Sequence, residues 1–140
     1  MKPELVKAEK ILKEGAYTCV LIKGDMVHTC TERGIKPLLR FLNENIDLRG
    51  FVAADKVVGK AAAYLYVLLE VEAVYAKVIS RSAVETLEKQ GVAVYYDEQT
   101  DAIRNRTNTG FCPMEMCVME IESPDEALLA IREMLRELAG

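Results

Sequence analysis

Phe51-Val52-Ala53-Ala54-Asp55-Lys56-Val57-Val58-Gly59-Lys60-Ala61-Ala62-Ala63 is the stretch that decides the fold. Its first four residues are an apolar run with the length and composition of a short buried strand. Asp55 to Val58 then read as a polar turn, and residues 59–71 as a helix whose first turn is built from small residues. A strand, a tight turn and a helix in immediate succession are the unit of a parallel α/β sheet. The start of such a helix exposes unpaired N–H groups and the positive end of the helix dipole, which suits an anion.

Working outward, the chain keeps alternating. Residues 3–14 predict an amphipathic helix with Leu5, Ala8, Ile11 and Leu12 on one face, ended by Gly15. Two β-rich runs follow within 16–31, separated by Lys23-Gly24-Asp25. A two-residue loop at Gly24-Asp25 makes them a hairpin that pairs Lys23 with Met26 and Cys19 with Cys30. A bridge at that position is strained, so the reading is two reduced, packed thiols. Ile35, Leu38, Leu39 and Leu42 fall at helical spacing, with Pro37 tolerated in the first turn.

After the deciding stretch, residues 73–79 predict a second strand. Ser82 and Glu85 have the spacing of a capping box, Gly91 follows the helix they start, and 92–96 is a third strand. Residues Asp97 to Gly110 are polar and turn-rich, either a flap or a β-ribbon. Ser123-Pro124-Asp125-Glu126 opens a last helix, with Ala127, Ile131, Met134, Leu135 and Leu138 facing inward. The order α-β-β-α-β-α-β-α-β predicts a three-layer α/β/α sandwich on a mixed five-stranded sheet. It is a single domain over 1–140 with a C-terminal extension from about residue 97.

Composition narrows the function. About half of the 140 residues are apolar, enough for a core without disulfides. The net charge of −4 gives no basic field for a nucleic acid, and Arg81, Arg104 and Arg106 are too few to make one. The longest apolar run, Ala61 to Leu69, is shorter than the ~20 residues of a membrane span. The charged N-terminal segment has no apolar core of a signal peptide. The expectation is a cytoplasmic protein with no membrane partner.

Two segments carry candidate chemistry. Asp55 and Lys56 follow a parallel strand, where ligands bind in open α/β sheets. Gly59 permits close backbone approach and Lys60 puts a cation beside it. These four are the candidate ligand-binding residues; the competing reading is an ordinary polar turn with a solvent-facing lysine. In Cys112-Pro113-Met114-Glu115, proline at the first helical position makes Cys112 the N-cap, where a thiol has a lowered pKa and can act as a nucleophile. Glu115 lies within capping-box reach of that N-cap. Cys112 and Glu115 are the candidate catalytic residues, against the reading of an inert cysteine in a methionine-rich packing segment. Cys112 and Cys117 diverge too far to form a metal pair, and His28, the one histidine, sits inside the hairpin. No cofactor is called for. Most of Tyr64, Tyr66, Tyr75, Tyr95 and Tyr96 read as packing residues.

The order and lengths of the elements from about Leu5 to Tyr96 resemble the cytidine deaminase-like fold. In that family the helix after the hairpin opens with His/Cys-x-Glu, and the helix after the next strand with Pro-Cys-x-x-Cys, which hold zinc. Here those positions read Thr31-Glu32-Arg33-Gly34 and Ala54-Asp55-Lys56-Val57-Val58-Gly59. They contain no zinc ligand, so no metal site is expected. Together with Cys112-Pro113-Met114-Glu115, the segment Asp55-Lys56-x-x-Gly59-Lys60-Ala61-Ala62-Ala63 is similar to a small family of unknown function that keeps this fold without the zinc motifs. The resemblance implies a homo-oligomer and a site at the start of the helix after residue 59. It leaves two readings open. One is a zinc-independent protein, enzyme or not, that binds a nucleotide or nucleoside derivative. The other is a non-catalytic oligomerisation module with a degenerate cleft.

Overall fold

The turn at Gly24-Asp25 sets the register of the first strand pair. Gly24 takes φ +58°, a conformation that costs glycine little and other residues more. It lets β1 (Cys19–Lys23) and β2 (Met26–Cys30) pair antiparallel, with Lys23 opposite Met26 and Cys19 opposite Cys30. This is the pairing read from the sequence. The computed structural model describes residues 1–103 and 112–139.

Three more strands, β3 (Val52–Val58), β4 (Ala73–Ser80) and β5 (Ala93–Thr100), complete a sheet of order β2-β1-β3-β4-β5. β1 is antiparallel to both neighbours, while β3, β4 and β5 are parallel. The steps from β3 to β4 to β5 run in one direction across the sheet. Right-handed crossovers therefore place α3 (Lys60–Leu68) and α4 (Arg81–Lys89) on the same face, where they pack against each other. The helix α1 (Pro3–Glu14) covers the opposite face.

Side chains alternate along each strand, so the sheet feeds two cores. Val20, Ile22, Val52, Ala54 and Tyr75 meet Leu5, Ala8 and Leu12 of α1. Leu21, Ala53, Val74 and Ala76 face the larger core. That core includes α2 (Lys36–Asn43), α3 and α4, and is closed by Ala127 and Ile131 of α6 (Pro124–Ala139). α6 packs on α3 and on the short helix α5 (Pro113–Val118). Each buried leucine is worth about 1.5–3 kcal/mol relative to exposure. The three-layer α/β/α sandwich with a mixed five-stranded sheet is thus the architecture of the described residues.

Several boundaries differ from the sequence reading. No turn separates β3 from α3: the strand runs through Asp55, Lys56 and Val57 to Val58, and Gly59 is the N-cap. β3 lies between β1 and β4, so ladders on both sides hold its backbone extended despite two charged residues. α4 starts earlier than its Ser82-to-Glu85 spacing suggests, because the Ser80 hydroxyl accepts the Ala83 N–H at 3.2 Å and makes Ser80 the N-cap. β5 continues to Thr100, into the segment expected to be a flap or ribbon; residues 104–111 of that segment, with Arg104 and Arg106, lie outside the described residues. Tyr95 and Tyr96 are not packing residues. They lie on an edge strand of the described sheet, at 39% and 43% exposure. Leu138 does not face inward, because the end of α6 outruns the core.

Candidate functional site

The helix start that attracts an anion holds one, and the chain itself supplies it. α3 begins at Gly59-Lys60 without a side-chain cap of its own. The Glu115 carboxylate accepts the Lys60 N–H at 2.6 Å and the Ala61 N–H at 2.8 Å. Two of the donors left unpaired at a helix start are thereby satisfied, and a negative charge sits at the positive end of the dipole. Burial nevertheless pushes the Glu115 carboxyl above its ordinary value, against the pull of these N–H groups.

Glycine at 59 has a steric cause. Its φ of −99° is open to any residue, but a Cβ there would lie 1.9 Å from Glu115 Oε1. The Lys60 ammonium donates to the Met119 carbonyl at 2.9 Å, at the end of α5, and lies 5.7 Å from the centre of the Tyr64 ring. Gly59, Lys60 and Glu115 therefore form a clasp that fastens α5 to α3. The capping-box expectation for Glu115 is corrected: it caps α3 and not its own helix. Cys112 is the N-cap of the six-residue α5, but its thiol makes no cap hydrogen bond.

Asp55 belongs to a second constellation. It occupies the side of β3 that faces the larger core, and Lys56 is exposed. Asp55 Oδ2 accepts the Tyr66 hydroxyl at 2.6 Å, and Oδ1 accepts the Val57 N–H at 3.3 Å. The Tyr66 oxygen in turn lies 3.3 Å from the Cys19 sulfur. Cys19 stands opposite Cys30 on β2 as its cross-strand neighbour. A chain of polar groups thus crosses the core in the order Asp55, Tyr66, Cys19, Cys30. The four residues come from β3, α3, β1 and β2.

The electrostatics of this chain are unusual for a structural core. Asp55 keeps some accessible surface, yet its carboxyl is enclosed by protein, and that burial pushes it up to about 6. The hydrogen bonds from Tyr66 and the backbone offset only part of the shift. Burial also drives the Tyr66 hydroxyl well up, helped by the neighbouring carboxylate. The neighbouring Cys30 thiol and burial raise Cys19, while the Cys19 thiol, aided by the Arg40 guanidinium, lowers Cys30 against its own burial. All four cysteines are free thiols. A carboxyl that titrates near neutrality, backed by a hydroxyl and two thiols, can take up and release a proton.

No hydrogen bond among the described residues joins Asp55, Lys56 or Cys112 to the clasp. The expected site therefore divides in two. The sequence reading missed Tyr66 and the two hairpin thiols as partners of Asp55. The available signal was an aspartate inside an apolar strand. His28 packs edge-on to Phe41 at 5.6 Å and tilted to Phe51 at 5.7 Å. Among the described residues no cluster of three or more His, Cys, Asp or Glu side chains is arranged to hold a metal ion. No described helix is long and apolar enough to cross a membrane.

Residues 7–135 match the family model described as TM1506, domain of unknown function (DUF1893). The chain belongs to the DUF1893 family. Among solved structures it is similar to a DUF1893 family protein (TM1506) from Thermotoga maritima. That likeness has a TM-score of 0.83 and 27% identity, over 98% of this chain and 92% of the other. A dCMP deaminase from the cyanophage S-TIM5, solved in its apo form, aligns more loosely. There the TM-score is 0.44 and the identity 14%, over 71% of this chain and 100% of the other. No curated protein matches the sequence. The family's description assigns no function, so the reading of this DUF1893 chain rests on its own residues.

Proposed function

We propose that this DUF1893 chain binds a nucleotide or nucleoside-derived small molecule without zinc, with Asp55 as the group that meets the ligand and handles its proton. The observation that carries the reading is the state of Asp55. A carboxyl placed in an apolar core costs stability unless fully compensated. This one has a tyrosine donor but no ion pair with a cation among the described residues, and it is held at about 6. Groups perturbed in this way concentrate at functional sites. A carboxyl held at about 6 can accept a hydrogen bond from a sugar hydroxyl or a base N–H, and can take up or release a proton close to neutral pH. On this reading Gly59 and Lys60 meet the anionic end of the ligand, at the seat that Glu115 takes in this structure, while Lys56 projects from the opposite face of β3 and takes no part. Cys112, at the head of the helix that carries Glu115, stands as a candidate nucleophile beside that seat.

A specific observation favours the alternative, a non-catalytic interaction module. The helix start at Gly59-Lys60 is already satisfied by Glu115. The two readings separate in one experiment, a thermal-shift screen of nucleosides and nucleotides on wild type, Asp55→Asn and Lys60→Ala. A ligand at ~100 Kd adds about 2.7 kcal/mol of stability to the wild type. Asp55→Asn then weakens binding roughly 10- to 150-fold, the worth of one charged hydrogen bond. Lys60→Ala weakens nucleotides by a similar factor and leaves nucleosides unaffected. If no ligand shifts the wild type, or Asp55→Asn shifts equally, the binding reading fails and the module reading replaces it.

A further inference from the structure

A groove of the described residues lies away from Asp55 and from the clasp. It measures about 460 Å³ and lies between α2 and α6, lined by Leu39, Asn43, Leu129, Arg132, Leu135 and Arg136. Leu129 is 66% exposed, the most exposed of the chain's large apolar side chains among the described residues, and it stands on the wall of this groove. Asn43 of α2 accepts a hydrogen bond from Arg132 at 2.8 Å, which ties that guanidinium to α2 across the groove.

The pattern along α6 identifies the occupant. Asp125, Leu129, Arg132 and Arg136 succeed one another at spacings of four, three and four residues, so they share one stripe of the helix. The stripe is acidic at its start, apolar and basic along its middle, and basic at its end. Asp125 and Arg136 are separated by about 16 Å along the axis, at 1.5 Å per residue. Among the described residues no ion pair within the chain engages either of them. A stripe with opposite charges at its two ends is complementary to a second copy of itself, and only when the copies run antiparallel. In that arrangement Asp125 of each copy faces Arg136 of the other. Leu129 of each copy lies over the aliphatic stem of the other's Arg132, and the leucines close the two grooves. Antiparallel helices also align their dipoles favourably.

We infer that this face is a two-fold interface on which a second copy of the chain docks, α6 against α6. The interface is isologous, so each contact occurs twice and each substitution acts twice. The test is sedimentation equilibrium of the full chain from about 1 to 100 μM, on wild type and three variants at exposed positions. Wild type is expected to be a dimer. Leu129→Glu places two carboxylates in the apolar centre and should raise the dimer Kd at least about 100-fold, two hot-spot losses at once. Arg136→Asp sets two carboxylates opposite two others and should raise it about 10- to 100-fold. The double swap Asp125→Arg with Arg136→Asp restores opposite charges across the axis and should recover most of the loss. Unchanged Tm values of the monomeric fractions verify that the variants are folded. A monomer at every concentration overturns the inference and leaves the groove to a different partner, such as an acidic helix. A dimer indifferent to Leu129→Glu, or a double swap no better than Arg136→Asp, overturns it as well.

Discussion

The clasp between α3 and α5 makes a prediction whose sign depends on the tertiary contact. Glu115→Ala removes a carboxylate that satisfies two N–H groups at 2.6 and 2.8 Å. Two charge-assisted bonds would be worth several kcal/mol, but the carboxyl is held above its ordinary value by burial, so part of that gain is offset. The net cost should match the loss of a helix N-cap, about 1–2 kcal/mol. In a chain of 140 residues that lowers Tm by roughly 3–7 °C. Gly59→Ala attacks the same contact from the other side. The new Cβ, 1.9 Å from Oε1 and 2.4 Å from Cδ of Glu115, must expel the carboxylate. Its cost in wild type should therefore again be about 1–2 kcal/mol. With Glu115 already replaced by Ala there is nothing to expel. The stiffer unfolded chain then favours Ala, while Ala's weakness as an N-cap opposes it, and the substitution becomes near neutral. Urea unfolding of the four proteins in a double-mutant cycle should give a coupling of about 1–2 kcal/mol. Equal costs for Gly59→Ala in both backgrounds would refute the clasp.

Two further expectations concern Asp55. Its folded value of about 6 lies above the unfolded value near 3.9, so the folded state holds the extra proton between them. The associated stability is fully present below about pH 4 and is lost as pH rises through about 6, a change of about 2–3 kcal/mol. Asp55→Asn should flatten that slope in chemical denaturation between pH 4 and 7; an undiminished slope would point to another group. Tyr66→Phe removes the hydroxyl that Asp55 Oδ2 accepts at 2.6 Å. It should cost about 1–3 kcal/mol at pH 8, where the carboxylate is charged, and clearly less at pH 5. A cost independent of pH would mean that the hydroxyl serves packing alone.

The features that follow from the sequence are those fixed by neighbours along the chain. The hairpin register follows from a two-residue turn whose first residue is Gly24, and from the two-residue period of a strand. Counting outward from that turn is enough to set Cys19 opposite Cys30. Pro113 at the first position of α5 marks Cys112 as its N-cap, and Ser123-Pro124 marks the start of α6, where the Glu126 N–H reaches the Ser123 hydroxyl at 3.5 Å. The parallel order of β3, β4 and β5 also follows, because a short strand-helix-strand connection has one accessible hand. Asp55-Lys56 reads as a turn because charge beside glycine ordinarily signals one. Only the ladders to β1 and β4 keep that segment extended.

Side-chain meetings across long stretches of chain are another matter. Glu115 reaches an amide 55 residues away, and its own helix offers a capping position that local rules prefer. The choice between the two depends on where α5 comes to rest against α3, which is set by the packing of α6 on both. Tyr66 looks like any aromatic on an apolar helix until the crossover lays α3 over β3 and brings its hydroxyl to Asp55 and Cys19. Periodicity states which face of an element is buried. It does not state which polar atom of another element waits there, because that depends on how whole elements settle against one another, and the shift of Asp55 exists only in that enclosed place.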